Sequence, residues 1–201
     1  MNTSRPNLIF ILADDLGFAD LGCYGGRDAA FGPVSPVLDA MAACGMRFTQ
    51  GYANSSVCSP TRFALMTARY QYRLRGGADE PINSKSKGSK VLGLPPEHPT
   101  LPSLLKASGY RTAAFVSAFP LDSRFGLDAG FEVYDDRLGG AETQLTRAFE
   151  VPERKGSATV AAGLAWLAEH LPPTFADLPR PFAAGVSARV DGTETPVLLR
   201  E

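Results

Sequence analysis

The sequence CSPTRFALMTARY, residues 58–70, predicts a helix with a cysteine in front of its first turn. Ser59 is a favoured N-cap residue, and Pro60 suits the first helical position, where a backbone N–H is not needed. Good helix formers follow at residues 64–66. The first N–H groups of a helix have no partners within the helix, so this end of the helix attracts anions. Arg62 lies about one helical turn after Cys58, and we expect both side chains on the same side.

The pattern Cys-x-Pro-x-Arg, followed by Leu65–Thr67, resembles the signature of the sulfatase family. The resemblance implies that a separate maturation enzyme oxidises Cys58 to formylglycine, whose hydrated aldehyde attacks sulfur. It also implies that Arg62 supports this residue and the bound anion, so Cys58 and Arg62 are the predicted catalytic residues. The family usually has Ser at Thr61 and Gly at Ala68, and both changes are conservative in size. A buried structural cysteine before a surface helix is the alternative explanation of this stretch.

A continuous apolar run, Asn7–Ala13, ends in the paired carboxylates of Asp14 and Asp15. Such a run predicts a central strand that is buried on both faces, as in a parallel sheet. Adjacent carboxylates repel each other unless a cation neutralises them, and ligands of open α/β sheets lie at the carboxyl ends of strands. For an Asp-Asp pair alone a plain turn is the simpler explanation. Residues 5–17 resemble the first strand of sulfatases, however, which implies that Asp14, Asp15 and the modified Cys58 bind Ca²⁺ or Mg²⁺.

The order of the remaining elements predicts an α/β fold. By resemblance it is a mostly parallel mixed sheet sandwiched by helices, of the sulfatase and alkaline-phosphatase type and incomplete at the C-terminus. We expect one partial domain over residues 1–201, with a flexible polar loop at about 75–91. Caps, Gly stops and hydrophobic spacing predict helices at Ser35–Gly45, Thr100–Gly109 and Ser157–Leu171, and strands at Arg47–Ala53, Tyr110–Ser117 and Phe182–Val190.

Two parts of the usual sulfatase pattern have no counterpart in the sequence. After the strand at Tyr110–Ser117, many arylsulfatases carry Gly-Lys-Trp-His, whose Lys and His hold the sulfate. Here the chain continues SAFPLD, and residues 124–136 resemble a different sulfatase-like branch. The substrate-binding residues are therefore unknown. A second pair of metal ligands is also missing, and two carboxylates fall short of the roughly six to eight oxygens that calcium takes.

Composition limits the classes of function. The chain has 201 residues, 44% hydrophobic and 20% charged, with a formal net charge of −1. This balance fits a globular domain and excludes nucleic-acid binding through bulk charge. Apolar runs are shorter than the roughly 20 residues of a membrane span. Three cysteines without metal or disulfide spacing, and an N-terminus without an apolar leader, predict a reduced, cytoplasmic protein with no nucleic-acid or membrane partner.

The sequence therefore predicts metal-dependent hydrolysis of a small-molecule sulfate ester, with a formylglycine-generating enzyme as the maturation partner. A phosphonate or phosphate ester hydrolase with the same site is one alternative. A non-catalytic, sulfatase-like chain is another, because the Lys, His and second metal pair are missing. A thiol hydrolase that uses unmodified Cys58 would need a histidine base, and the chain has only His98 and His170. The oligomeric state is not predicted.

Overall fold

The computed structural model describes residues 5–26, 32–74, 82, 93–138, 143–145, 152–170, 187–190 and 193–196. Two compact units are present, one formed by Tyr52–His170 and the other by Met1–Gly51 with Leu171–Glu201. The predicted polar loop at about 75–91 lies outside the described residues, except for Ile82. None of the described helices combines the length and the apolar character needed to cross a membrane.

The described part of the chain contains four α-helices and six short strands. The helices are α1 (Pro36–Cys44), α2 (Cys58–Thr67), α3 (Leu101–Ala107) and α4 (Gly156–His170). The strands are β1 (Ala113–Phe115), β2 (Val133–Asp135), β3 (Thr143–Leu145), β4 (Pro152–Arg154), β5 (Ser187–Val190) and β6 (Thr193–Pro196). Strands β1 and β2 pair in parallel, whereas β3–β4 and β5–β6 are antiparallel pairs. This combination of helices with a small parallel sheet confirms the predicted α/β class.

Helix α1 lies in the unit that contains the N-terminal residues. This helix follows Ser35 and stops at Gly45, as the sequence predicts. Its first turn holds the glycine-rich segment before it, because Ser35 Oγ accepts a hydrogen bond from Gly22 N at 2.8 Å. Asp39 Oδ1 accepts a second one from Cys23 N at 2.6 Å. The polar side of α1 therefore fixes a loop.

The predicted strands at Asn7–Ala13 and Arg47–Ala53 are wrong for this structure, since both segments carry no regular secondary structure. The apolar side chains from Leu8 to Leu12 are 44–70% exposed. A central strand needs hydrogen-bonded neighbours on both edges and apolar cover on both faces. Among the described residues neither segment pairs with a strand. The apolar residues 7–13 therefore lack the neighbouring strands that a central strand needs.

The hydrophobic core of the unit Tyr52–His170 joins α2 to the segments around the parallel strands. Phe63 of α2 is 1% exposed and shares this core with Phe119 and Phe125, whose rings meet edge to face at 5.4 Å. Phe119 and Phe125 belong to two 3₁₀ turns in the connection from β1 to β2. The connection that a parallel pair requires therefore packs directly against the helix that begins with Cys58.

Helices α3 and α4 confirm their predicted positions, and β1 forms the centre of the predicted strand Tyr110–Ser117. Thr100 caps α3 and exchanges hydrogen bonds with Ser103, as in a capping box. Helix α4 packs on β1 through the rings of Trp166 and Phe115, whose centroids are 6.4 Å apart. Helix α4 and strand β1 therefore pack directly against each other.

Candidate active site

Cys58 is the first residue of α2, and its side chain is half-buried. Val57, in an extended conformation, occupies the N-cap position, so the predicted cap at Ser59 and the predicted first position at Pro60 are wrong by two residues. Ser59 is 1% exposed, and its Oγ accepts a hydrogen bond from Ile82 N at 3.0 Å. This serine serves a tertiary contact instead of the helix end, which leaves Cys58 itself in the first helical turn.

Thr61 fixes the loop in front of Cys58. We call residues Asn54–Val57 the presenting loop. The Thr61 hydroxyl donates to Ser55 O at 2.8 Å and accepts from Ser55 N at 3.2 Å. Within the loop, Ser55 Oγ accepts from Val57 N at 3.1 Å. Since these contacts need only a hydroxyl, Thr61 performs them as well as the serine usual in the family.

Gln71 holds the presenting loop from outside α2. It begins the 3₁₀ turn Gln71–Arg73 and is 2% exposed. Its Nε2 donates to Asn54 O at 3.0 Å. The backbone on both sides of Cys58 is therefore connected by side-chain hydrogen bonds.

Arg62 lies one turn along α2 from Cys58 and is 6% exposed. Its charge acts on the hydroxyl of Tyr134 in β2. Burial raises the pKa of Tyr134, three nearby aspartates act in the same direction, and Arg62 acts in the opposite one. The Tyr134 hydroxyl donates to Leu121 O at 2.7 Å. The arginine predicted to assist catalysis thus sits in a low-dielectric environment, where its charge acts more strongly than it would in water.

Asp14 and Asp15 lie in the other unit and are both exposed. Asp15 has a backbone φ of +51°, a left-handed conformation that aspartate tolerates better than most residues. Within the described ranges, no group of three or more His, Cys, Asp or Glu side chains is placed to hold a metal ion. The two carboxylates are oxygen donors of the kind that Ca²⁺ and Mg²⁺ prefer, but they do not make a complete ligand set. Their metal role remains a prediction.

A buried ion pair at the end of β2 was missed by the sequence analysis. The Asp135 side chain is 5% exposed and lies 2.7 Å from Arg137 Nη2 and 3.0 Å from Arg154 Nη1. Arg154 is itself 9% exposed, and its Nε donates to Thr159 Oγ1 of α4. The hydrogen bonds from Arg137, and then those from Arg154, hold the pKa of Asp135 well below its usual range. No local pattern predicts the Asp135–Arg154 contact, because the two residues belong to separate strands.

Neither histidine provides a base for an unmodified Cys58 thiol. His170 ends α4, where its ring stacks on Trp166 and its Nδ1 lies 2.7 Å from Trp166 O. His98 lies in the turn before α3, as predicted. In the described part of the chain, the hydrogen-bond contact of Cys58 Sγ is with Ser59 Oγ at 3.9 Å. The geometry therefore disfavours a thiol hydrolase.

The Sulfatase family model matches residues 6–158, about three quarters of the chain. The chain belongs to the sulfatase family. This membership confirms the resemblance drawn from residues 58–70 and from the apolar run that ends in two aspartates.

Similar proteins include arylsulfatases and an N-acetylgalactosamine-6-O-sulfatase. The chain is 43% identical over 107 residues to Arylsulfatase A of Homo sapiens, covering 53% of this chain and 19% of that protein. It is 42% identical over 113 residues to Arylsulfatase H of Canis lupus familiaris, with coverages of 54% and 19%. An N-acetylgalactosamine-6-O-sulfatase of Bacteroides thetaiotaomicron is 37% identical over 111 residues, with coverages of 55% and 20%. The chain spans about a fifth of the length of these curated relatives.

Proposed function

We propose that this chain carries the nucleophile-bearing part of a sulfate ester hydrolase, with Cys58 converted to formylglycine by a separate maturation enzyme. The observation that supports the proposal is the placement of Cys58 in the first turn of α2, behind a presenting loop that Thr61 and Gln71 hold. The buried Arg62, one turn further along, adds a fixed positive charge. Family membership and the names of the relatives support the same chemistry.

The residues of α2 have separate roles in this proposal. A hydrated formylglycine at position 58 would supply two hydroxyl groups on one carbon. One would attack sulfur as the S–O bond to the leaving alcohol breaks, and the other would lose its proton and re-form the aldehyde as the C–O bond to sulfate breaks. The positive end of the α2 dipole and the Arg62 guanidinium stabilise the negative charge that develops on the sulfate oxygens. The hydrogen bonds of the presenting loop keep residue 58 in place, so that little reorganisation is needed at the moment of reaction.

Asp14 and Asp15 are proposed as metal ligands only. A bound Ca²⁺ or Mg²⁺ would withdraw charge from the sulfate oxygens. Two exposed carboxylates do not complete such a site, and the described residues offer no cluster that would. This incomplete donor set favours one second candidate function, a sulfatase-like chain without catalysis.

The test is ester hydrolysis by the 201-residue chain produced together with a formylglycine-generating enzyme. Aryl sulfate, aryl phosphate and aryl phosphonate esters are compared with added calcium, with added magnesium and with a chelator. Cys58→Ala removes the nucleophile, and Cys44→Ala is the matched control because Cys44 is an exposed cysteine at the end of α1.

We expect metal-dependent hydrolysis, fastest with the sulfate ester, that Cys58→Ala abolishes and Cys44→Ala retains. Faster turnover of a phosphate or phosphonate ester would move the proposal to that substrate class. Complete conversion of Cys58, verified by mass spectrometry, without any turnover would support the non-catalytic candidate. Turnover that survives in Cys58→Ala would refute the assigned nucleophile.

A further inference from the structure

Gln71 connects the segment after α2 to the loop before it. The hydrogen bond from Gln71 Nε2 to Asn54 O joins residues that are 17 positions apart in the sequence, and the whole of α2 lies between them. The contact therefore closes the segment from residue 54 to residue 71, which contains Cys58. Gln71 is 2% exposed and Asn54 is exposed, so this hydrogen bond is part-buried.

Packing alone does not explain a glutamine at this position. In the described part of the chain the Gln71 Oε1 atom is buried and has no hydrogen-bond partner. Burying a carbonyl oxygen without a partner is costly, and a methionine of similar length would fill the same space without that cost. What a methionine lacks is the N–H donor that reaches Asn54 O. We therefore attribute the glutamine at position 71 to the hydrogen bond that its Nε2 donates to the presenting loop.

Thr61 and Gln71 hold adjacent residues, Ser55 and Asn54, at the entry of the presenting loop. Thr61 belongs to α2, so its two hydrogen bonds to Ser55 move together with the helix. Gln71 fixes Asn54, the residue at which the chain enters the loop, to a point beyond the helix. If the Gln71 contact is lost, Ser55 stays attached to α2, and Asn54 loses its connection to the segment after the helix.

We propose that Gln71 is a positioning residue that holds residue 58 in its reactive geometry through the Asn54 carbonyl. Its effect on catalysis rests on the proposed sulfatase function. Its effect on the accessibility of the Cys58 thiol does not, since that effect exists in the unmodified chain.

The first measurement is the rate at which iodoacetamide alkylates Cys58 in the native, unmodified chain. Cys23→Ser and Cys44→Ser form the background, so that the alkylated thiol is unambiguous. Gln71→Met removes the donor and keeps the length of the side chain. Thr112→Val is the matched control. It removes the part-buried hydrogen bonds that Thr112 Oγ1 donates to Gly130 O and accepts from Glu132 N, in the same unit but away from the loop.

We expect Gln71→Met to raise the alkylation rate, and the hydrogen exchange of the Asn54–Val57 amides, by about fivefold, as expected for the loss of one net hydrogen bond. Thr112→Val should lower the urea midpoint of unfolding at least as much as Gln71→Met does. It should nevertheless leave the alkylation rate of Cys58 within about twofold of the parent. An unchanged Cys58 rate in Gln71→Met would overturn the proposal. An equal increase in Thr112→Val would also overturn it, because the effect would then be one of general stability.

The second measurement uses the converted protein. A misplaced nucleophile lowers kcat more than it raises KM, so Gln71→Met should reduce kcat for an aryl sulfate and leave KM nearly unchanged. Gln71→Leu also removes the donor and adds no charge, and we expect it to behave like Gln71→Met. Wild-type kcat in either variant would contradict the catalytic part of the proposal. If the parent chain shows no turnover, the proposed function fails, while the alkylation result still decides the role of Gln71.

Discussion

Replacing Asp135 by asparagine is the most informative test of how the described fold is held together. Asp135 ends β2 and receives Arg137 from its own loop and Arg154 from β4. The Asp135→Asn substitution preserves the shape of the side chain and removes its charge. Arg154, which is 9% exposed, is then left buried without a charged partner.

The expected magnitude follows from the burial of each partner. Removing one member of a buried ion pair costs about 3–5 kcal/mol, because the remaining charge stays buried and uncompensated. The matched control is Arg137→Gln, which removes the other arginine from the same carboxylate. Arg137 is 80% exposed, and an exposed pair contributes about 0–1 kcal/mol. The two variants should therefore differ by about 3 kcal/mol in the free energy of unfolding, or by roughly 6–12 °C in Tm.

The assay is urea unfolding of the two variants beside the parent chain, and its pH dependence gives a second check. Because the arginines hold the pKa of Asp135 below its usual range, the stability from this carboxylate is present above the unfolded pKa of about 3.9. It is lost as the pH falls through the folded value, so the parent should lose its advantage over Asp135→Asn in acid. Equal stability of Asp135→Asn and Arg137→Gln at neutral pH would refute the account of a buried pair.

Three further predictions concern backbone conformation and a buried phenol. Ala68 follows the last residue of α2 and has a φ of +54°, so Ala68→Gly should stabilise the fold by about 0.5–1 kcal/mol. Ala64→Gly, inside the same helix, should destabilise the fold by about 1 kcal/mol or more. Urea unfolding midpoints test both predictions. Gly130→Ala should cost more than about 2 kcal/mol, because φ is +95° and the new Cβ would lie 2.3 Å from a backbone nitrogen of α3. Gly156→Ala, with no atom within 4 Å of its new Cβ, should change the free energy of unfolding by less than about 0.5 kcal/mol; equal losses in the two alanine variants would contradict this assignment. Burial raises the pKa of Tyr134, so the stability that this residue contributes is complete below the unfolded pKa of about 10 and is lost at higher pH. We expect the ultraviolet titration of the folded chain to match that of a Tyr134→Phe variant up to about pH 11. An additional phenol that ionises near pH 10 in the parent would contradict this prediction.

Local signals in the sequence are sufficient to predict most of the helices. Ser35 and Gly45 bound α1 as expected, and Thr100 caps α3. Such signals work because a cap and the N–H groups it satisfies lie within one turn of each other. The prediction at Ser59 fails because a distant group, the backbone N–H of Ile82, donates to the serine hydroxyl instead.

Features that depend on distant partners could not be predicted in the same way. The apolar run Asn7–Ala13 has the composition of a buried strand, but pairing requires neighbours that are not specified by the run itself. The Asp135–Arg154 pair joins two strands and has no sequence pattern. At position 68 the sulfatase pattern has glycine where this chain has alanine, and from the sequence alone the change looks conservative in size. The structure shows that the left-handed conformation is what favours glycine there.

The candidate site was predictable where a local motif carries it. Cys58 and Arg62 lie in one helix, so their spacing in the sequence places them about one turn apart. The structure adds the burial of Arg62 and the hydrogen bonds of the presenting loop. Gln71 was missed because its contact with Asn54 depends on how the chain returns after α2.

The most direct test of the central claim is to titrate the nucleophile itself. The chain is produced with a formylglycine-generating enzyme, treated with increasing amounts of an aminooxy reagent that captures the aldehyde, and assayed for aryl sulfate hydrolysis. Peptide mass mapping gives the labelled fraction at Cys58. The account predicts labelling at this position alone and a residual turnover that falls in proportion to it. Full labelling with turnover retained, or a fully converted chain without turnover, would contradict the claim that residue 58 at the start of α2 is a working sulfatase nucleophile.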